Sequence, residues 1–154
     1  MHLADIMSRD VRTVRPEEPV TSAWALMRTH GIHHLVVMSS AHDVAGIVSA
    51  RDLGGRRGPS PTDARTVAEV MATDVVSAAP ETTLRRAANL MRNQSLGCLP
   101  VLANGRVIGI LTLADVLELV GRGVERPVAR SKRYTLRHRA GGQAIAAPQR
   151  RRRP

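Results

Sequence analysis

The sequence predicts an α+β fold: two β-α-β-β-α repeats packed around a pseudo-two-fold axis, followed by a disordered basic tail. Three observations carry this prediction. Residues 3–53 and 67–116 are two copies of one pattern. Each copy passes from strand-like alternation to a helical period and back to two apolar strands. The charge breaks sharply after residue 120, dividing the chain into 1–60, 61–120 and 121–154.

The repeat is read residue by residue. Ile6-Met7 with Val11, Thr13-Val14 and Pro16 returns as Val70-Met71 with Val75, Ser77 and Pro80, at a spacing of 64 residues. Ala23 and Met27 return as Ala87 and Met91 at the same offset. Gly46-Ile47-Val48-Ser49-Ala50-Arg51-Asp52 returns as Gly109-Ile110-Leu111-Thr112-Leu113-Ala114-Asp115, now offset by 63, so one deletion separates the copies. Short repeats usually build open arrays. Two long copies fit a closed pair better.

Residues 11–14 alternate apolar and polar side chains, as a short strand does. Residues 16–19 form a turn. Thr21 or Ser22 is placed to cap a helix in which Val20, Ala23, Trp24 and Met27 share a face, and Gly31 is placed to end it. Residues 35–38 and 44–48 are strands joined by a polar loop at His42-Asp43. Thr66-Val67-Ala68-Glu69 reads as a capping box opening a short helix before the second copy. That copy runs alike: Thr82 or Thr83 starts a helix with Leu84, Ala87, Ala88 and Met91 inward, and Gly97 follows its end. Residues 99–102 and 107–111 are strands, with Asn104-Gly105 as the hairpin turn. Gly54-Gly55 cut short the helix expected after Asp52, since each interior glycine costs about 1 kcal/mol; residues 54–65, with Pro59 and Pro61, become a linker. Residues 116–120 continue helically in the second copy.

Composition narrows the class. The chain has 154 residues, 43% of them hydrophobic, and Trp24 and Tyr134 are its aromatics, so the core is aliphatic. No stretch approaches the ~20 apolar residues that span a bilayer, and no secretory signal is expected at His2-Leu3-Ala4-Asp5. The lone Cys98 cannot form an internal disulfide, in keeping with the cytoplasm. The net charge of +10 lies entirely beyond residue 120. Basic residues within 122–153 make nucleic acid a candidate partner, with the repeats as a dimeric scaffold. No nucleophile–His–acid set and no Gly-rich phosphate loop is present, so an enzyme is not expected.

The order Met71, Val75, Pro80, Ala87, Met91, Leu99-Pro100-Val101 and Gly109-Ile110-Leu111-Thr112 with Asp115 resembles a cystathionine β-synthase (CBS) domain. Gly31-Ile32-His33-His34-Leu35-Val36-Val37 carries the same resemblance into the first copy. Two such domains in tandem form a Bateman module. The resemblance implies a regulatory module that binds an adenosine ligand (AMP, ADP, ATP or S-adenosylmethionine) in clefts between the copies and forms a homodimer.

It also implies a site. Ser49 and Thr112 each end a strand where a helix is expected to open, and unpaired helical N–H groups there attract anions. Asp52 and Asp115, one turn on, are implied to accept from the ribose diol. Segments around Thr13-Val14, Ser77, Leu35 and Leu99-Pro100 are implied to hold the adenine. The residues themselves leave a second reading open, because Ser/Thr-x-x-Asp is also a capping-box sequence. Val36 stands where the second copy has Pro100, leaving the first cleft's backbone less fixed; the Asp115 cleft is therefore favoured. Arg51, Arg85 and Arg106 are candidate phosphate partners. His30, His33, His34, His42 and Cys98 form a weak metal candidate, and no metal is expected. Trp24 is assigned to the core or a dimer interface.

Overall fold

The computed structural model describes residues 1–40 and 43–123. Elements run α1 (Leu3–Ile6), β1 (Thr13–Val14), α2 (Val20–His30), β2 (His34–Ser40), β3 (Asp43–Ser49), α3 (Val67–Val70), α4 (Leu84–Asn93), β4 (Cys98–Ala103), β5 (Arg106–Thr112) and α5 (Leu113–Gly121). The expected tail and the loop residues 41 and 42 lie outside the described residues.

The first copy builds a sheet of order β1-β2-β3, with β1 parallel and β3 antiparallel to β2. The second builds the β4-β5 hairpin, antiparallel. Its opening strand, expected near Val75 to Ser77, shrinks to one parallel bridge between Ala78 and Val101. The cause is Pro100. In the first copy the Val36 N–H donates to the Arg12 carbonyl at 3.3 Å; the matching Pro100 has no N–H to give. What remains is Ala78 N–H to Pro100 O at 3.0 Å and Leu102 N–H to Ala78 O at 2.9 Å.

Local signals explain most boundaries. Gly31 sits in the left-handed region, φ 62°, and closes α2. Asn104 and Gly105, φ 51° and 75°, make the hairpin turn with both central residues left-handed, as type I′ requires. Three expectations change. The N-cap of α2 is Pro19, which lends no side-chain bond, so Thr21 and Ser22 lie inside the helix. The N-cap of α4 is Thr83, whose hydroxyl accepts from Arg86 N–H at 3.3 Å. The left-handed residue after α4 is Ser95, φ 55°, rather than Gly97. After Ser49 the chain makes turns through Gly54 and Gly55 instead of a helix.

The short helices that open the two copies are exchanged. Leu3 N–H and Ala4 N–H donate to Thr82 O and Pro80 O (2.9 and 3.0 Å), while Val67 N–H and Ala68 N–H donate to Glu18 O and Pro16 O (both 2.8 Å). Leu3 and Met7 accordingly pack with Ala87, Met91, Leu99, Val101 and Leu111 of the second copy. Val67 packs with Val14, Val20, Met27, Leu35 and Val48 of the first. The repeated glycines mark these crossings. A Cβ on Gly46 would stand 2.7 Å from Ala72 O and from Met71 Sδ; one on Gly109 would stand 2.4 Å from Met7 Sδ and 3.0 Å from Ser8 O.

A third apolar cluster, Val36, Cys98 and Ile110, joins the two sheets. All buried hydrophobic residues are aliphatic, Met or Cys, as the composition requires. Trp24 is half-buried against the first core and lies over Gly58, where a Cβ would come within 2.4 Å of the indole.

Candidate functional site

Ser49 and Thr112 occupy equivalent places. Each ends the outgoing strand of its hairpin, Ser49 opposite His34 and Thr112 opposite Cys98. The residue after each is tied to the other hairpin arm: Ala50 N–H to His33 O at 2.8 Å, Leu113 N–H to Gly97 O at 3.0 Å. The backbone thus fixes both hydroxyl-carboxylate turns in the same pose.

Within each turn the carboxylate closes on its own hydroxyl. Asp115 Oδ2 accepts from Thr112 N–H and Thr112 Oγ1, both at 2.7 Å, and Asp115 N–H donates back to Oγ1 at 3.3 Å. Asp52 Oδ2 accepts from Ser49 N–H and Oγ at 2.7 Å. Capping is therefore present at both positions. It uses one oxygen of each carboxylate; Oδ1 of Asp52 and of Asp115 has no hydrogen-bond partner among the described residues. In the second copy the turn opens α5. In the first it opens only the irregular turn, so the helix-end attraction for anions expected at Ser49 is missing there.

Beside Asp115 lies a cavity of about 230 Å³, lined by Asp5, Ile6, Asp115, Glu118, Leu119 and Arg122. Because α1 belongs to the first copy and α5 to the second, it is a cleft between copies. Asp5 also caps its own helix, with Oδ2 accepting from His2 N–H at 2.9 Å. Glu118 pairs with Arg122 one turn on. Sequence reasoning found Asp115 but missed the other five residues, because the repeat alignment places Asp5 and Ile6 in the wrong half. Nothing in the sequence announces the exchange of α1 and α3.

The remaining candidates divide. Thr13 and Ser77 are exposed at the surface. Val14, Leu35 and Leu99 are buried in the two cores, and Pro100 is buried in β4, so their side chains are engaged in packing. Arg51 is exposed next to Asp52, and Arg85 is exposed on the first turn of α4. Arg106 begins β5 whereas Thr112 ends it, roughly 20 Å away at the strand rise; it is removed from the Thr112 end.

The metal candidate finds no support. Among the described residues no three His, Cys, Asp or Glu side chains converge to hold an ion. Burial pushes the Cys98 thiol up to about 12, far from the thiolate a metal needs. His34 is held below the usual imidazole range by burial, then by neighbouring His33, with Asp52 opposing. Its ring lies over Gly97, where a Cβ would stand 2.6 Å from Nε2.

Two exchanged, pseudo-symmetric lobes with matched hydroxyl-carboxylate turns define a tandem-repeat module built to present clefts between its halves. The CBS domain model matches residues 3–53 and 67–122, and the chain belongs to the CBS domain family. It is similar to the CBS domain-containing protein YhcV of Bacillus subtilis, 31% identical over 73% of this chain and 80% of that one. A CBS-domain protein from Burkholderia ambifaria superposes with TM-score 0.72 at 28% identity, covering 84% of this chain and all of the other. The CBS pair of MJ0100, in complex with 5′-methylthioadenosine and S-adenosyl-L-methionine, shares the fold with TM-score 0.71 at 24% identity, covering 79% of this chain and 97% of that one. The chain also matches inosine-5′-monophosphate dehydrogenase of Korarchaeum cryptofilum, 37% identical over 70% of this chain, but spans only 22% of that enzyme.

Proposed function

We propose that this chain is a non-catalytic regulatory module that senses an adenosine-containing ligand in the clefts between its copies, with the Asp115 cleft as the principal site. The carrying observation is the cavity that Asp115 shares with α1 of the other copy. A carboxylate already oriented by Thr112, with Oδ1 unpartnered, is ready to accept from a ribose diol. Such charge-assisted bonds are stronger than neutral ones. The MJ0100 pair supports the reading, since its fold holds two adenosine compounds.

The proposal extends to a homodimer. Leu113, Leu117 and Val120 of α5 are 51, 61 and 48% exposed and recur at i, i+4 and i+7, one face of the helix. This stripe, rather than the half-buried Trp24, is the apolar surface that a second copy would cover. No helix among the described residues is long and apolar enough to cross a membrane. A cytoplasmic location is proposed on the lone, buried free Cys98.

A melting panel with AMP, ADP, ATP and S-adenosylmethionine tests the reading. A ligand at 100 times its dissociation constant adds about 2.7 kcal/mol of stability, so at least one should raise the melting temperature. No shift with any of them at millimolar concentration contradicts it.

A further inference from the structure

Resting on that reading of the Asp115 cleft, we infer that this cleft selects adenosine compounds whose 5′ group is uncharged or cationic, a thioether or a sulfonium, and rejects 5′-phosphates, with Glu118 and Asp5 as the discriminating residues. Charge is the first argument. Three lining carboxylates, Asp5, Asp115 and Glu118, face one guanidinium, Arg122, and leave a formal net charge of −2. Arg122 is already paired with Glu118, so no free cation lines the cavity to meet a phosphate. A phosphate dianion would enter against like charge, and like-charge juxtaposition is how a site rejects a competitor. A sulfonium or ammonium would be attracted by the same carboxylates.

Size is the second argument. The cavity holds about 230 Å³, below the roughly 300 Å³ at which ordinary small-molecule pockets begin. It suits a nucleoside-sized ligand better than a triphosphate chain. The first copy supplies the contrast. At the 63-residue offset Glu118 corresponds to Gly55 and Leu119 to Arg56, and the turn after Ser49 exposes Arg51, Arg56 and Arg57. The two halves have thus diverged in charge where their hydroxyl-carboxylate turns have not.

The test is calorimetry on the full chain carrying Asp52→Asn, which weakens the first cleft, titrated with 5′-methylthioadenosine, S-adenosylmethionine, AMP and ATP. The expected result is at least roughly tenfold tighter binding of a thioether or sulfonium ligand than of ATP. Adding Glu118→Gln, at an exposed position that should leave the fold intact, should narrow that gap several-fold by improving ATP or AMP. Raising the salt should narrow it too, because exposed charges are screened. Equal or tighter ATP binding, or a gap indifferent to Glu118→Gln, overturns the inference while leaving the adenosine reading standing. No binding of any of the four overturns both.

Discussion

Asp115 Oδ2 accepts from both the N–H and the hydroxyl of Thr112 at 2.7 Å, so one carboxylate oxygen holds the helix end while the other stays available. Stability and binding can therefore be separated at this residue. Asp115→Asn keeps an acceptor near Thr112 and removes the charge at the start of α5, costing about 0.5 kcal/mol. Thr112→Val removes the hydroxyl that gives to and takes from Asp115, costing about 1 kcal/mol. Urea denaturation should rank them in that order. An Asp115→Asn loss well above that of Thr112→Val would mean the carboxylate is chiefly structural.

The exchange of α1 and α3 makes a prediction at the chain's third residue. Leu3 is fully buried in the second core, so Leu3→Ala should cost about 2–5 kcal/mol, as deeply buried leucines do. A denaturation midpoint unchanged by Leu3→Ala would show that α1 does not dock on the second copy.

Gly58 and Gly55 both have positive φ, 71° and 64°, yet only Gly58 lies under the Trp24 indole. Gly55→Ala should cost about 1 kcal/mol for the left-handed backbone alone. Gly58→Ala should cost clearly more and should change Trp24 fluorescence, because the ring must move. Equal costs with unaltered fluorescence would remove Trp24 from the first core.

The stripe on α5 predicts assembly. Sedimentation should give a dimer at micromolar concentration, and Leu117→Glu should give a monomer whose own fold is intact, since surface changes usually stay within about 0.5 kcal/mol. A wild-type monomer across that range would end the dimer proposal without touching the fold.

Much of this was legible because period and turn chemistry are local. Gly31, Asn104-Gly105, the Thr66-Glu69 box and the break at Gly54-Gly55 each act within a few residues, and each stands where its chemistry demands. What escaped was non-local. Pro100 removes a ladder bond only once Val75 to Ser77 must pair with it. Gly46 and Gly109 look like mere repeat landmarks until Met71 and Met7 are seen crossing them. The same crossing hides Asp5 from a linear reading of the cleft. Leu35 and Leu99 show the opposite error: residues in a binding-motif segment whose side chains belong to the cores.

The most direct measurement is calorimetric titration of the wild-type chain and of Asp115→Asn with whichever adenosine compound raises the melting temperature. Loss of the charge-assisted bonds to the diol should weaken binding by roughly tenfold or more, about 1.4 kcal/mol. Asp52→Asn should weaken it less, because its turn opens no helix. Equal affinity in wild type and Asp115→Asn would return this carboxylate to capping alone and contradict the Asp115 cleft as the sensing site.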